Sequence, residues 1–247
     1  MERNRFWAFK AKDDKSGELT LYGEIANYSW FGDEVTPKQF KADLDALGDI
    51  EALDIYINSA GGDVFAGQAI HSMLKRHKAR KTVHIDGYAA SIASVVAMAG
   101  DEIVMPKNAM MMIHNAWTRT AGNAKDFRKM ADDMEKIDGV LADVYVEKTG
   151  LPTERIREMM DAETWMTAEE ARENGFATQV TEPVAIAASD LNLDRYRNAP
   201  RPEPTQPPEQ EPAEQPNDSG GESRPVADNR ALFQNIRLKI LKVYEEE

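Results

Sequence analysis

Apolar residues along the chain recur with two different periods. From Glu18 to Ile25 (Glu-Leu-Thr-Leu-Tyr-Gly-Glu-Ile) they alternate with polar ones, as in a strand with one buried face. Thr36 followed by Pro37 opens a helix reaching about Leu47. Leu53 to Ile57 reads as a second strand and ends in Asn58-Ser-Ala-Gly-Gly62. Val64, Phe65, Ala69, Ile70, Met73 and Leu74 then fall at helical spacing. Thr82 to Ile85 is a short strand, followed by Gly87-Tyr-Ala-Ala-Ser91. Ile92 to Ala99 is apolar on nearly all sides, as expected of a helix buried in a core. Ile103 to Met105 and Met110 to His114 are brief strands. A long helix follows, with Phe127, Met130, Met134, Ile137, Leu141, Val144 and Tyr145 along one face. Thr167-Ala-Glu-Glu170 is a capping box, and Gly175 stops the short helix it begins. Strands alternating with helices predict an α/β domain with a mainly parallel sheet and flanking helices.

The pattern changes after residue 185. Eight of the twelve prolines lie between Pro200 and Pro225, a stretch with no Val, Ile, Leu, Met, Phe, Trp or Tyr. It has almost nothing to bury against the entropy of ordering, so residues 186–228 read as a disordered, acidic, Pro-rich linker. Leu232, Ile236, Ile240 and Tyr244 then return at helical spacing, which predicts an amphipathic helix over 229–247. The expected organisation is one domain over 1–185, the linker and the terminal helix.

Composition narrows the function. The 43 acidic residues outnumber the 30 basic ones among 247, giving a formal charge of −13, which argues against nucleic acid or anionic lipid as the main partner. Zero cysteines excludes disulfides, thiolate zinc sites and a cysteine nucleophile. No apolar run approaches the roughly 18 residues of a membrane span. The charged start, Met1-Glu-Arg-Asn-Arg, differs from a signal peptide. The expectation is a soluble acidic cytoplasmic protein with no membrane or nucleic-acid partner.

Three features carry candidate chemistry. Gly61-Gly62 stands between a strand and a helix, where paired glycines present backbone N–H groups without Cβ interference; an ordinary βα turn uses them too. Ser91 precedes the buried helix, either as its N-cap or as a hydroxyl at the rim of the core with an N–H beside it. Ala89 separates it from the G-x-S-x-G elbow. His114 closes an apolar strand, and a serine nucleophile needs a base, most often imidazole. His71, His77 and His84 read as surface or packing residues, and no His/Asp/Glu spacing predicts a metal site; no cofactor is implied.

Asn58-Ser-Ala-Gly-Gly, Gly87-Tyr-Ala-Ala-Ser-Ile, Met112-Ile-His and Trp165-Met-Thr-Ala-Glu-Glu-Ala together resemble the Clp protease proteolytic subunit, the ClpP family of serine peptidases, over about Thr20 to Val180. The resemblance implies the ClpP/crotonase fold, Ser91 as nucleophile, His114 as general base, and an oxyanion hole from the N–H groups of Gly62 and Ile92. It also implies protein or peptide substrates and a homo-oligomer, with heptameric rings as the family's form. Ala60 stands where housekeeping members usually carry proline. The usual triad aspartate aligns with Glu163, one methylene longer, while Asp161 lies two residues earlier with the usual side chain. Glu163 is the first choice and Asp161 the second.

Gly61-Gly-Asp-Val-Phe-Ala-Gly67 and Met160-Asp-Ala-Glu-Thr-Trp165 are most similar to the phage-encoded branch, the head maturation (prohead) proteases. That branch implies ATP-independent cleavage of scaffold or capsid proteins, in a phage or prophage setting that includes the procapsid interior. The tail would then tether the protease to coat or scaffold subunits. The alternatives are a housekeeping-type subunit working with an AAA+ unfoldase, and a non-catalytic assembly protein on the same fold.

Overall fold

Leu19 and Leu21 alternate with polar neighbours and are both fully buried, which seats their strand with one face on the core. The computed structural model describes residues 5–27, 36–184 and 193–200. In chain order they contain β1 (Trp7–Ala11), β2 (Ser16–Tyr22), α1 (Pro37–Asp45), β3 (Ala52–Ser59) and α2 (Val64–Arg76). Next come β4 (Arg80–Ala90), α3 (Ile92–Ala97), β5 (Glu102–Pro106), β6 (Met110–Ile113) and α4 (Ala124–Thr149). The last are α5 (Thr153–Asp161), β7 (Thr164–Thr167), α6 (Ala168–Glu173) and β8 (Gln179–Thr181).

One sheet joins all eight strands in the order β1-β2-β3-β4-β5-β8, with β6 and β7 branching from β4. Only β1–β2 and β6–β7 are antiparallel; every other pair is parallel. Strand β4 changes partner along its length. Thr82–His84 pair with β5, while Tyr88–Ala90 pair with β6. The two branches separate at that point, and α3 begins directly beyond it. All six residues of α3 are buried, Ser94 included, in agreement with a helix apolar on every side.

Local chemistry fixes the helix starts. The Thr36 side chain accepts from Gln39 N with Pro37 in the first turn, and Asp63 Oδ1 accepts from Ala66 N at 2.7 Å. The Thr167/Glu170 capping box forms as predicted, and Gly175 takes φ +80° beyond α6.

Three expectations change. The strand read over Thr82–Ile85 runs on through Gly87–Ala90 as β4, because β6 supplies that end with a hydrogen-bonding partner. The apolar face of α4 is only partly used. Its buried residues are Leu141, Ala142 and Tyr145, while Phe127 is 50% exposed. At 26 residues α4 is about 39 Å long, and its first half reaches past the core. Finally, Leu193–Pro200, inside the stretch read as linker, packs on the domain through Leu193, Tyr196 and Ala199. The Pro-rich stretch after residue 200 and the terminal amphipathic helix lie outside the described residues. No helix among the described residues is long and apolar enough to cross a membrane.

Candidate active site

Beyond β3 the chain must turn at once into α2. Gly61 has φ +87° and Gly62 φ +151°, conformations that side chains disfavour. A Cβ on Gly62 would stand 1.9 Å from the Ile25 carbonyl oxygen; one on Gly61 would stand 2.7 Å from both Ala90 O and Ser91 Cβ. The turn is therefore compressed between the segment after β2 and the chain at Ser91. Ile25 N donates to Gly61 O at 2.8 Å and Asp63 N to Ile25 O at 2.7 Å. The N–H of Gly62 has no acceptor among the described residues. That of Ile92, the first residue of α3, has no intrahelical acceptor either. A Cβ on Gly61 would lie 3.2 Å from Ile92 N, so the glycine turn and the start of α3 meet.

Ser91 stands at the N-cap position of α3, yet its side chain makes no capping bond. Its backbone sits at φ 56°, ψ −133°, a strained conformation costing about 1–3 kcal/mol. Three bonds hold it there. Ser91 N donates to Met112 O at 3.0 Å on β6, Ser94 N donates to Ser91 O at 2.9 Å, and Ser94 Oγ donates to the same carbonyl at 2.6 Å. Freed from capping, the Ser91 hydroxyl lies 2.8 Å from His114 Nε2.

His114 follows β6 directly. Its neighbours are pinned from two helices: Asn115 Nδ2 donates to Asp161 Oδ1 at 2.7 Å, and Ala116 N donates to Asp138 Oδ1 at 2.7 Å. Burial pushes the imidazole below its ordinary value of 6.5; the Glu163 charge opposes this and Arg195 reinforces it. The ring is thus neutral at neutral pH and able to accept a proton.

Glu163 has φ 48°, a second strained non-glycine position. It precedes β7, whose Trp165 and Thr164 pair with Met112 and Ile113 of β6, so it lies on the ribbon that leads to His114. Its carboxylate does not hydrogen-bond the imidazole. Oε1 instead accepts from Asn198 N at 2.7 Å, with Trp165 Nε1 at 3.5 Å. Asp161 is occupied by Asn115 and is absent from the charges that act on His114. Ser91, His114, Gly62 and Ile92 are therefore brought together, the Glu163 charge acts on the imidazole while its carboxylate bonds Asn198, and Asp161 stands aside.

Sequence reasoning missed Arg195, Tyr196 and Asn198, which close over this site. Tyr196 is 3% exposed. Its ring meets His114 edge-on at 5.3 Å and Trp165 at 5.8 Å. The available signal was Leu193, Tyr196 and Ala199, the last apolar residues before the proline-rich stretch. A cavity of about 400 Å³ borders His114 and Glu163, and a second of about 150 Å³ is lined by Gly62, Ser91, His114 and Tyr196, with Arg195 at the edge of both. Among the described residues, no cluster of His, Asp or Glu is placed to hold a metal.

A mostly parallel sheet that forks to present a serine hydroxyl against an imidazole has the architecture of a Clp-type protease. The sequence profile described as Clp protease matches residues 33–184, well over half of the chain, and the chain belongs to that family. It is 34% identical over 142 residues to an ATP-dependent Clp protease proteolytic subunit of Deinococcus radiodurans, covering 56% of this chain and 69% of that one. It is also 31% identical over 179 residues to proteolytic subunit 3 of Streptomyces coelicolor, covering 70% and 82%. A third relative, proteolytic subunit 3 of Rhodococcus jostii, is 32% identical over 143 residues, or 57% and 71%. A peptidase of this family is what the chain resembles along most of its folded length.

Proposed function

We propose that the chain is a serine endopeptidase working through an acyl-enzyme, and the 2.8 Å contact between His114 Nε2 and Ser91 Oγ carries the reading. Ser91 Oγ attacks the scissile carbonyl carbon as its proton passes to His114 Nε2. The oxyanion that forms is met by the N–H groups of Gly62 and Ile92. Collapse breaks the C–N bond, and His114 returns the proton to the departing amine. Water, deprotonated by the same imidazole, then releases the acyl group from Ser91. Glu163 is the orienting acid in this scheme: its charge acts on His114, and a swing of its side chain away from Asn198 frees it to accept from the imidazole Nδ1–H. No metal or organic cofactor enters any step.

The setting we propose is that of the phage head maturation proteases, acting without ATP on scaffold or capsid proteins as a homo-oligomer, heptameric rings being the family's form. Support comes from the sequence around Gly61–Gly67 and Met160–Trp165 and from the acidic proline-rich stretch that follows the domain. The relatives' names, ATP-dependent proteolytic subunits, favour the second reading, a subunit that works with an unfoldase.

Labelling with a fluorophosphonate probe tests the chemistry. The probe is expected on Ser91 in the parent and nowhere in Ser91→Ala. Equal labelling of both chains would overturn the assignment. Cleavage of a folded capsid or scaffold protein without ATP or a partner separates the two settings.

A further inference from the structure

Leu193–Pro200 crosses the proposed site and is fastened on both sides of it. On one side, Arg195 Nη2 and the Tyr196 hydroxyl both donate to the Ala60 carbonyl, the former at 2.7 Å. Arg195 Nη1 also pairs with Glu24 at 2.9 Å. Ala60 immediately precedes Gly61-Gly62, so this anchor grips the turn whose N–H groups would hold an oxyanion. On the other side, Asn198 N donates to Glu163 Oε1 at 2.7 Å and Asn198 Nδ2 to Ala162 O at 2.8 Å. Between the anchors the Tyr196 ring fills an apolar pocket of Ala60, Ala90 and Met112, backed by Trp165. It covers His114, and its hydroxyl faces Ser91.

We infer that Leu193–Pro200 is an intramolecular strap that holds the peptidase off, competing with substrate for one pocket and keeping Glu163 from His114. The inference rests on the serine peptidase reading. With Tyr196 in place, the space left beside Ser91, Gly62 and His114 is a cavity of about 150 Å³, which crowds a polypeptide, because the ring occupies the apolar pocket next to it. The contact acts twice. Tyr196 competes with substrate, and Asn198 occupies the carboxylate that would otherwise orient the imidazole. Release of the strap therefore opens the pocket and frees the acid in one movement. Being part of the same chain, the strap acts at an effective concentration on the order of millimolar, so modest contacts suffice to keep it seated.

The test compares three full-length chains: the parent, Tyr196→Ala, and the double variant Arg195→Ala/Asn198→Ala. The double variant removes the anchors' side-chain bonds to Glu24, Ala60 O and Ala162 O and keeps the Asn198 N–H on Glu163 and the Tyr196 pocket. The rates read are fluorophosphonate labelling of Ser91 and hydrolysis of a short fluorogenic peptide, at pH 8, well above the ordinary imidazole value. Both variants are expected to label roughly tenfold faster or more, as the competent fraction rises. Free peptide 193–200, added to Tyr196→Ala, is expected to slow labelling again at millimolar concentration. Rates equal to the parent's, or lower, in variants with unchanged thermal melts would overturn the strap. No labelling of Ser91 in any folded chain would instead remove the peptidase reading, a separate result.

Discussion

The hydroxyl of Tyr145 lies 2.8 Å from Ser94 Oγ. Ser94 spends its one proton on the Ser91 carbonyl, so Tyr145 is the donor of that pair. A fully buried side chain on α4 is thus wired, through one serine, to the backbone of the proposed nucleophile. The strained φ of Ser91 is held against relaxation by this chain of bonds together with Ser91 N to Met112 O.

Tyr145→Phe removes the donor and little else. We expect a loss of about 1 kcal/mol in stability and a fall in kcat of roughly tenfold, since small misplacements of a nucleophile are costly. Thermal melts and turnover of a short peptide measure the two. Full kcat in a destabilised protein would restrict Tyr145 to a packing role.

Gly67 sits inside α2, where alanine is favoured by about 1 kcal/mol in an exposed helix. Here a Cβ would stand 2.2 Å from Ile92 Cγ1 and 3.3 Å from Ile92 Cβ. Ile92 is buried and directly follows Ser91, so it has little room to yield. Overpacking outweighs propensity, and Gly67→Ala is expected to destabilise by about 1–3 kcal/mol and to slow Ser91 labelling. A raised melting temperature would show that α3 gives way freely.

The imidazole must be neutral to accept the Ser91 proton, so activity rises with pH through the His114 titration. Burial places that acid limb below the ordinary 6.5. Removing the Arg195 cation in Arg195→Ala lets the imidazole hold its proton to higher pH, which moves the limb up. Glu163→Gln removes the opposing charge and moves it down. The midpoint of kcat/KM against pH reads both shifts independently of amplitude. Shifts in the reverse directions would disconnect these charges from the base.

Glu163 and Asp161 are separated by their partners. Glu163→Gln is expected to lower kcat by at least roughly a hundredfold while the chain stays folded. Asp161→Asn weakens the bond from Asn115 and is expected to leave kcat within about threefold. The opposite ranking would make Asp161 the orienting acid.

Much of the architecture was readable from period alone. α2 and α3 follow from Val64–Leu74 and from the unbroken apolar run at Ile92, and the capping box at Thr167 marks α6. β7 was not readable, since Thr164–Thr167 contains a single buried residue, Met166, and exists as a strand only because β6 lies beside it. β4 was cut short for the same reason: Gly87 and two alanines carry no strand propensity, and a partner supplies what they lack. α5 hides behind Pro152, although Ile156, Met159 and Met160 share its buried face. The glycine turn, Ser91 and His114 were visible because chemistry restricts the residue types that serve there. The Tyr196 contact was not, because a lone aromatic ahead of a proline-rich stretch is legible only once its pocket is known.

The change of partner along β4 divides the duties of one strand. Residues 82–84 face β5 and need only fill space, so an altered side chain there would register as a lowered melting temperature with turnover per folded molecule unchanged. Residues 88–90 face β6 and lead into Ser91, and Ala89 and Ala90 are fully buried, so an equally small alteration would lower the melt as well but add a loss of turnover per folded molecule. Six residues apart, the same strand would report to one assay or to both.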